Sequence, residues 1–159
     1  MQNFHAAAIA DDRRDFYFML YQERKAIATR YGQADTFLWT INFKDGETTS
    51  NALAPLIRRL KPRLNGQPLI MLGIIVPAGR GVKQRHGHGV LFLPEDMEDT
   101  LKAATKARSA NVPRSYQFQR PNPEKGGETG WLNYGMCSRN GLKTGSEFYA
   151  SRIVQYPAS

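Results

Sequence analysis

Apolar side chains near the start of the chain recur at helical spacing. Over residues 12–31, helical spacing joins six residues, all apolar except Glu23: Phe16, Met19, Leu20, Glu23, Ile27 and Tyr31. Because one face of an α-helix repeats about every 3.6 residues, this spacing predicts an amphipathic helix. Asp11 or Asp12 is expected to cap its start, and Gly32 is expected to end it.

The next segment, residues 36–43, alternates between two faces instead. One face is strongly apolar and aromatic, and the other is more polar. The apolar face consists of Phe37, Trp39, Ile41 and Phe43, and the other face of Leu38, Thr40 and Asn42. Alternation among aromatic and β-branched residues is typical of a strand, so this segment is predicted to be one, with its apolar face in the core.

The rest of the pattern predicts six further elements. They are a helix from Ser50 or Asn51 to about Leu60, a buried strand over 68–76, a strand over 85–93, a helix from Pro94 to about Ser109, a short strand over 115–119 and a short helix over 131–137. In the first of these helices Pro55 is acceptable only within the first turn, because proline lacks the N–H group of the helical ladder. Residues 121–130, rich in proline and glycine, are expected to form an ordered loop.

The elements follow the order of one helix, then β-α-β-β-α-β, then a C-terminal extension. This order is that of the ferredoxin-like or RRM-like fold, whose antiparallel sheet carries its helices on one face. The expected fold class is therefore α+β, in a single domain over residues 1–159. The second face of the sheet is expected to be free for nucleic acid or for catalysis.

The charge balance narrows the classes of partner. The chain has 159 residues, with 22 Lys and Arg against 14 Asp and Glu, and a formal net charge of +8. A small basic domain most often meets phosphate, as nucleic acid or as an anionic membrane surface. No stretch reaches the ~20 apolar residues that cross a bilayer, and the N-terminus does not match a signal peptide. The single cysteine, Cys137, cannot form an internal disulfide, so a cytoplasmic location is expected.

Two of the three histidines stand in one predicted strand. His86 and His88 are two residues apart, so their side chains point to the same face. Two imidazoles on one face can hold one divalent metal ion, although such a pair can also be two half-exposed residues at the start of a strand. The adjacent Gly87 and Gly89 favour a site, because they are expected to let a ligand approach the backbone.

A tyrosine follows the last predicted strand and the glycine-rich loop. The hydroxyl of Tyr134 can attack a phosphodiester and form a phosphotyrosine bond when a metal polarises the phosphate. The alternative is that Tyr134 packs on a short helix with its hydroxyl at the surface. Nearby, Trp131 is an aromatic side chain that can stack on an exposed base.

Basic residues lead directly into the histidine strand. Arg80, Lys83 and Arg85 precede His86, and each cation that meets a phosphate releases counterions and makes binding dependent on salt. Further cations lie on the predicted helices, where a solvated helix face explains them equally well. The group at positions 80–85 is therefore the preferred candidate for contact with DNA.

The order of these features resembles the HUH endonucleases, the rolling-circle replication initiators of plasmids and small phages. The first strand motif of that family is similar to residues 37–43. Its His-hydrophobic-His strand, preceded by a glycine-containing loop, is similar to residues 81–93. Its helix with a Trp and a Tyr-x-x-Lys sequence is similar to the segment from Trp131 to Tyr134. The resemblance covers residues 36–139, about two-thirds of the chain.

The resemblance implies a divalent metal ion, Mg²⁺ or Mn²⁺, held by His86, His88 and a third polar ligand. The family often takes this ligand from a Glu in the preceding strand, but residues 69–76 contain no acid. Gln84 is then the nearest polar candidate.

The resemblance also implies Tyr134 as the nucleophile, with Tyr149 as a second candidate. Cys137 stands where the family has its lysine, so Arg139 or Lys143 is expected to supply that charge.

For the activity, the resemblance implies nicking of single-stranded DNA at a replication origin or hairpin. The tyrosine would attack the metal-activated phosphate, leaving a 5′-phosphotyrosine and a free 3′-hydroxyl that primes synthesis. The chain has no Gly-x-x-x-x-Gly-Lys-Ser/Thr phosphate loop, so strand separation is expected to come from a partner helicase.

Two other functions stay open at this point. One is a non-catalytic nucleic-acid-binding module with the same fold, and the other is a basic protein-binding domain with no nucleic-acid role. A spatial criterion separates them from the nicking enzyme. The enzyme requires the hydroxyl of Tyr134 or Tyr149 to lie near the space that both His86 and His88 face.

Overall fold

A computed structural model describes residues 2–79, 84–109, 116–135 and 146–152. The helices are α1 (Gln2–Arg30), α2 (Thr49–Leu60), α3 (Glu98–Ser109) and α4 (Gly127–Gly135), and the strands are β1 (Asp35–Asn42), β2 (Ile70–Val76), β3 (His86–Leu93), β4 (Tyr116–Gln119) and β5 (Glu147–Ala150). Short 3-10 helices cover Lys61–Leu64 and Pro123–Lys125.

The five strands form one antiparallel sheet in the order β4-β1-β3-β2-β5. Strand β1 pairs with β3 and β4, while β2 pairs with β3 and β5. The α+β fold predicted from the sequence is confirmed, and the first four strands are compatible with a ferredoxin-like core. Strand β5, from the C-terminal extension, adds a fifth strand at the edge beside β2.

One face of the sheet packs against α2 and α3. The predicted apolar face of β1 is confirmed, because all four of its members are buried there. The helices contribute Leu53, Leu56, Leu60, Leu101 and Ala104. Each large apolar side chain that leaves water in this way stabilises the fold by ~1.5–3 kcal/mol. The β3 strand, at the centre of the sheet, is therefore held firmly from this side.

Helices α1 and α4 pack on the opposite face, so the expectation of a free face is wrong. Tyr17 and Tyr21 of α1 and Leu132 of α4 join a second buried cluster with Val90 and Phe92 of β3. Helix α1 buries Tyr17, Tyr21 and Ala28 on this face, whereas Phe16 and Met19 of the predicted apolar stripe are exposed. The part left half-exposed is the end of the sheet where β3 begins, at His86.

Helix α1 begins much earlier than the sequence pattern predicted. It starts at Gln2, so Asp11 and Asp12 lie inside the helix and do not cap it. Its end agrees with the prediction, because Gly32 takes a positive φ of 70° and the chain turns there. Aspartate can thus occupy a helix interior when the residues before it, here mostly alanines, favour the helix.

Two other helix starts differ from expectation for local reasons. In α2 the cap is Thr48, whose hydroxyl accepts a hydrogen bond from the Asn51 N–H at 3.1 Å. Pro55 lies beyond the first turn of this helix and leaves the carbonyl of the exposed Asn51 without its helical donor. Helix α3 begins at Glu98 instead of Pro94, because Asp96 adopts a positive φ of 65°.

Within the described part of the chain, no helix is long and apolar enough to cross a membrane.

Candidate active site

The two histidines lie side by side on the face of the sheet that carries α1 and α4. The ring centroids of His86 and His88 are 5.3 Å apart, and the ring planes meet at 62°. Their cross-strand partners on β1 are Asn42 and Thr40. Directly opposed residues in an antiparallel pair share a face, so two polar side chains adjoin the two imidazoles.

The backbone sets the tautomer of His86. The Nδ1 atom of His86 lies 3.1 Å from the carbonyl oxygen of Gln84. A carbonyl can only accept, so Nδ1 donates in this contact, and in the neutral ring Nε2 is then the atom with a lone pair for a ligand. Histidines that bind a metal through one ring nitrogen commonly donate the N–H of the other nitrogen to a carbonyl in this way, which orients the ring.

Gln84 contacts both the end of β1 and the first histidine of β3. Its side-chain N–H donates to the carbonyl of Phe43 at the end of β1, and its main-chain carbonyl orients His86. The side chain thus joins the ends of two strands. The described contacts make Gln84 a support for the histidine strand, and its part as the third metal ligand stays a prediction.

His88 is buried, with 3% of its surface exposed. Its Nε2 atom has no hydrogen-bond partner among the described residues. A buried polar atom without a partner costs about 1–3 kcal/mol, which a bound ligand would recover. Burial, together with the neighbouring His86, lowers the pKa of His88 to about 4, so its imidazole is neutral near pH 7. Neutral imidazole is the form that binds metal.

Helix α4 brings two aromatic rings to His88. The ring centroids of Tyr134 and Trp131 lie 5.4 and 5.6 Å from that of His88, both nearly perpendicular to it. The two rings stack on each other at 5.6 Å, because they stand three residues apart on one helix. Tyr134 is 53% exposed, so a large substrate can reach it.

Three anchors hold α4 in this position. The indole N–H of Trp131 donates to the carbonyl of Gly89 at 2.9 Å, and Leu132 is buried against the sheet. At the start of the helix, Glu128 accepts a hydrogen bond from the Tyr21 hydroxyl and lies 3.5 Å from the Lys25 ammonium. The helix that carries Tyr134 is thus tied to both β3 and α1.

Tyr149 lies on the other face of the sheet. It pairs with Gly73 across β5 and β2 and packs against the core formed with α2 and α3. Burial raises its pKa, which further disfavours the phenolate. The structure therefore separates Tyr149 from the histidines, and of the two candidate nucleophiles Tyr134 is the one whose ring contacts His88.

The predicted DNA-contacting cations are only partly within the described residues. Arg85 donates to the Glu47 carbonyl at 3.0 Å and to the Thr49 hydroxyl at 2.9 Å. Its guanidinium also lies 4.5 Å from the centre of the Phe43 ring, so it braces the β1–α2 connection. Its contact with DNA stays a prediction. Arg80, Lys83, Arg139 and Lys143 lie outside the described residues.

Gly87 and Gly89 leave space on the core face of β3, whereas they were expected to leave space on the face of the histidines. A Cβ atom on Gly87 would lie 3.1 Å from the Trp39 ring, and one on Gly89 would overlap the backbone of Leu72. The indole of Trp39 crosses β3 here and also meets the neighbouring Gly73. Gly87 and Gly73 therefore admit Trp39 to the core, Gly89 admits the backbone of β2, and the glycines do not open space beside the imidazoles.

The residues fit a divalent metal in part. His86 and His88 offer two imidazoles, and the oxygens of Thr40 and Asn42 are on the neighbouring strand. No group of three or more His, Cys, Asp or Glu side chains suited to a metal occurs in the described ranges. Mg²⁺ prefers oxygen ligands, whereas Mn²⁺ also accepts imidazole. The site therefore suits Mn²⁺ better than Mg²⁺.

Thr40 and Asn42 are the site residues that sequence reasoning missed. Their alternation with the apolar face of β1 was readable, but their position beside the histidines depends on the pairing of β1 with β3. The signal in the sequence that could have identified them was the presence of two polar residues on the less apolar face of the strand.

Comparisons of this chain with protein-family profiles, with curated proteins and with solved structures find no match.

Proposed function

We propose that this chain is a metal-dependent endonuclease that nicks single-stranded DNA with Tyr134 as its nucleophile, in the initiation of rolling-circle replication. The observation that carries the proposal is the packing of an exposed tyrosine on a histidine pair. The ring of Tyr134 lies 5.4 Å from that of His88, and His86 is adjacent on the same face.

In the proposed reaction the Tyr134 oxygen attacks the scissile phosphorus. A bond forms between that oxygen and phosphorus while the bond from phosphorus to the 3′ oxygen breaks. The phenolic proton passes to solvent and the departing 3′ oxygen takes one up, so no proton is consumed overall. The products are a 5′-phosphotyrosine and a free 3′-hydroxyl.

The two histidines are the proposed metal ligands. His86 would bind through the lone pair on Nε2, and the unpartnered Nε2 of the buried His88 would gain a partner. A bound divalent ion supplies positive charge at the phosphate oxygens and so stabilises the charge that develops there. The net charge of +8 supports attraction of a polyanionic strand.

The departure from the His-hydrophobic-His pattern is compatible with this proposal. The bulky residue of that pattern is replaced by Gly87, and the indole of Trp39 occupies the space beside it on the core face. The strand therefore stays packed, and the imidazoles keep their common face.

The test uses a pool of random single strands that carry a label at the 3′ end. Because the protein stays on the 5′ phosphate of the downstream fragment, this label reports the covalent adduct on a denaturing gel. With Mn²⁺, the wild-type chain and Tyr149→Phe should form the adduct, and Tyr134→Phe should not. An adduct that persists in Tyr134→Phe, or no adduct from any strand, would refute the proposal.

A second candidate function is a non-catalytic module that binds nucleic acid. The observation in its favour is that no carboxylate joins the histidines among the described residues. This module would bind single strands with equal affinity in Mn²⁺ and in EDTA, and His86→Ala would leave its affinity unchanged. The nicking enzyme would instead lose adduct formation in EDTA, and it would lose adduct formation in the His86→Ala chain.

A further inference from the structure

A cavity of about 390 Å³ opens beside Tyr134, between α4 and the edge of the sheet at β4. Trp131 and Tyr134 line it on the helix side, and Leu38 lines it on the sheet side. Its polar lining includes Gln119 and Asn122, together with Lys125 from the 3-10 helix. The cavity lies on the sheet face that carries the histidines, since Leu38 belongs to the same buried cluster as α1 and α4.

The polar groups in this cavity can form new hydrogen bonds. Gln119 is exposed at the end of β4 and carries both a donor and an acceptor. The Asn122 oxygen accepts from the Glu124 N–H at 3.0 Å, which leaves its amide N–H groups for another partner. Lys125 is exposed and makes no ion pair with a described residue.

The charge of the lining distinguishes this cavity from three others. The cavity near the β1–α2 connection is lined by Asp45, Glu47 and Glu147, and the groove between α3 and β4 includes Glu98. A further one, near Asp35, is strongly acidic. The cavity beside Tyr134 is lined by no carboxylate. Its Arg120 is paired with Asp35 and Glu98, whereas its Lys125 makes no ion pair with a described residue and can meet a phosphate.

The combination of aromatic walls, amides and a cation suits a nucleobase. Bases stack on aromatic side chains, and Gln and Asn pair with base edges through a donor and an acceptor. The volume is at the lower end of the ~300–1,000 Å³ typical of small-molecule pockets. It is sufficient for one base with its sugar.

We propose that this cavity binds one nucleobase of the single strand, that of a nucleotide flanking the phosphate that Tyr134 attacks. The inference rests on the proposed function, because Tyr134 is a wall of the cavity and also the proposed nucleophile. Gln119 is then a specificity-determining residue, and Lys125 contacts the backbone of the same nucleotide.

The first arm of the test measures binding without chemistry. Random single strands are selected on Tyr134→Phe protein in EDTA and sequenced, so the result does not depend on nicking. One position should show a base preference, and adding Gln119→Ala to that protein should weaken it by about tenfold. Gln117→Ala is the matched control, because Gln117 is also an exposed glutamine of β4 and does not line this cavity.

Lys125→Gln should weaken binding of all strands alike and reduce its salt dependence, while Lys102→Gln on α3 should do neither. A preference that survives Gln119→Ala, or that Gln117→Ala removes equally, would overturn the inference. So would a deoxynucleoside monophosphate that binds as tightly as the strand, because the cavity would then be a free-nucleotide site.

The second arm maps the nick made by the wild-type chain with Mn²⁺ on the selected strands. The preferred base should lie next to the cleaved phosphate, and a position several nucleotides away would overturn the assignment. If no strand is nicked but the preference still depends on Gln119, the nicking function fails and the base-binding cavity stands. The two failures are therefore distinguishable.

Discussion

Trp131 of α4 donates its indole N–H to the carbonyl of Gly89, the residue next to His88. From the opposite face of the sheet, Trp39 donates its own indole N–H to the carbonyl of Val90 at 3.0 Å. Two successive carbonyls of β3 thus each accept an indole N–H, one from each side. The strand that carries the histidines is thereby fixed to the core, and α4, which carries Tyr134, is fixed to the strand.

Replacing Trp131 by phenylalanine should loosen α4 while keeping an aromatic ring beside His88. The lost hydrogen bond should lower the free energy of unfolding by about 1 kcal/mol, measured by urea denaturation. Because the bond positions Tyr134, adduct formation should slow by about tenfold or more. A Trp131→Phe chain that is less stable but nicks at the wild-type rate would contradict a positioning role.

The burial of His88 predicts a loss of stability in mild acid. Its pKa is about 4 in the folded chain, below the ordinary value of 6.5. As the pH falls, the unfolded chain therefore takes up the proton first, and stability that is present above pH 6.5 is lost toward pH 4. Between pH 8 and pH 5 this one group should cost about 2 kcal/mol in the free energy of unfolding.

The measurement is urea denaturation at both pH values in EDTA, compared with His88→Gln. The substituted chain should lose about 2 kcal/mol less over this range, because glutamine does not titrate. Equal losses in both chains would show that His88 is accessible to protons in the folded state.

Two glycine substitutions should differ sharply in cost. In Gly89→Ala the new methyl group would meet the Leu72 backbone, which cannot move without breaking the sheet. This change should cost about 3 kcal/mol or more. In Gly87→Ala the nearest atom is the Ile75 Cδ1 at 2.6 Å, at the flexible end of a side chain, so the cost should be about 1 kcal/mol. Thermal unfolding of both chains checks the order, and a reversed order would contradict the packing described here.

Asn42→Asp should strengthen the metal site. It places a carboxylate on β1 directly opposite His86, where the described site has an amide. Added negative charge among the ligands raises affinity for divalent cations, so Mn²⁺ should bind about tenfold more tightly. The loss of the free Mn²⁺ signal in electron paramagnetic resonance measures this without DNA. Asn51→Asp, an equal change of charge at the exposed start of α2, should have no effect. Equal affinities in the wild-type and Asn42→Asp chains would place the metal elsewhere.

Local pattern was sufficient to predict most of the sheet. The alternation around Trp39 located β1 to within a residue at either end, because one buried face imposes its period on the sequence. It did not predict β5, whose four residues have partners only through distant pairing with β2. It also placed the start of α1 too late, because an aspartate is a good cap only where no helix precedes it.

The candidate site likewise has features that the local sequence pattern predicts and features that depend on long-range contacts. The common face of His86 and His88 follows from strand geometry, and their proximity to each other was therefore predictable. Which face α4 covers depends on long-range contacts, such as that between Tyr21 and Glu128, so Tyr134 and Tyr149 could not be ranked from sequence. The neighbours Thr40 and Asn42 required the register of β1 against β3.

The indole of Trp39 and the glycines at 73 and 87 share one fixed volume on the core side of the sheet. Evolution is therefore constrained to change them together. A homologue with a valine or leucine at position 87 should carry a smaller residue at position 39, and one that keeps the tryptophan should keep the glycines. Trp39→Val should accordingly cost less stability in a Gly87→Val chain than in the wild-type chain, so the two positions are energetically coupled.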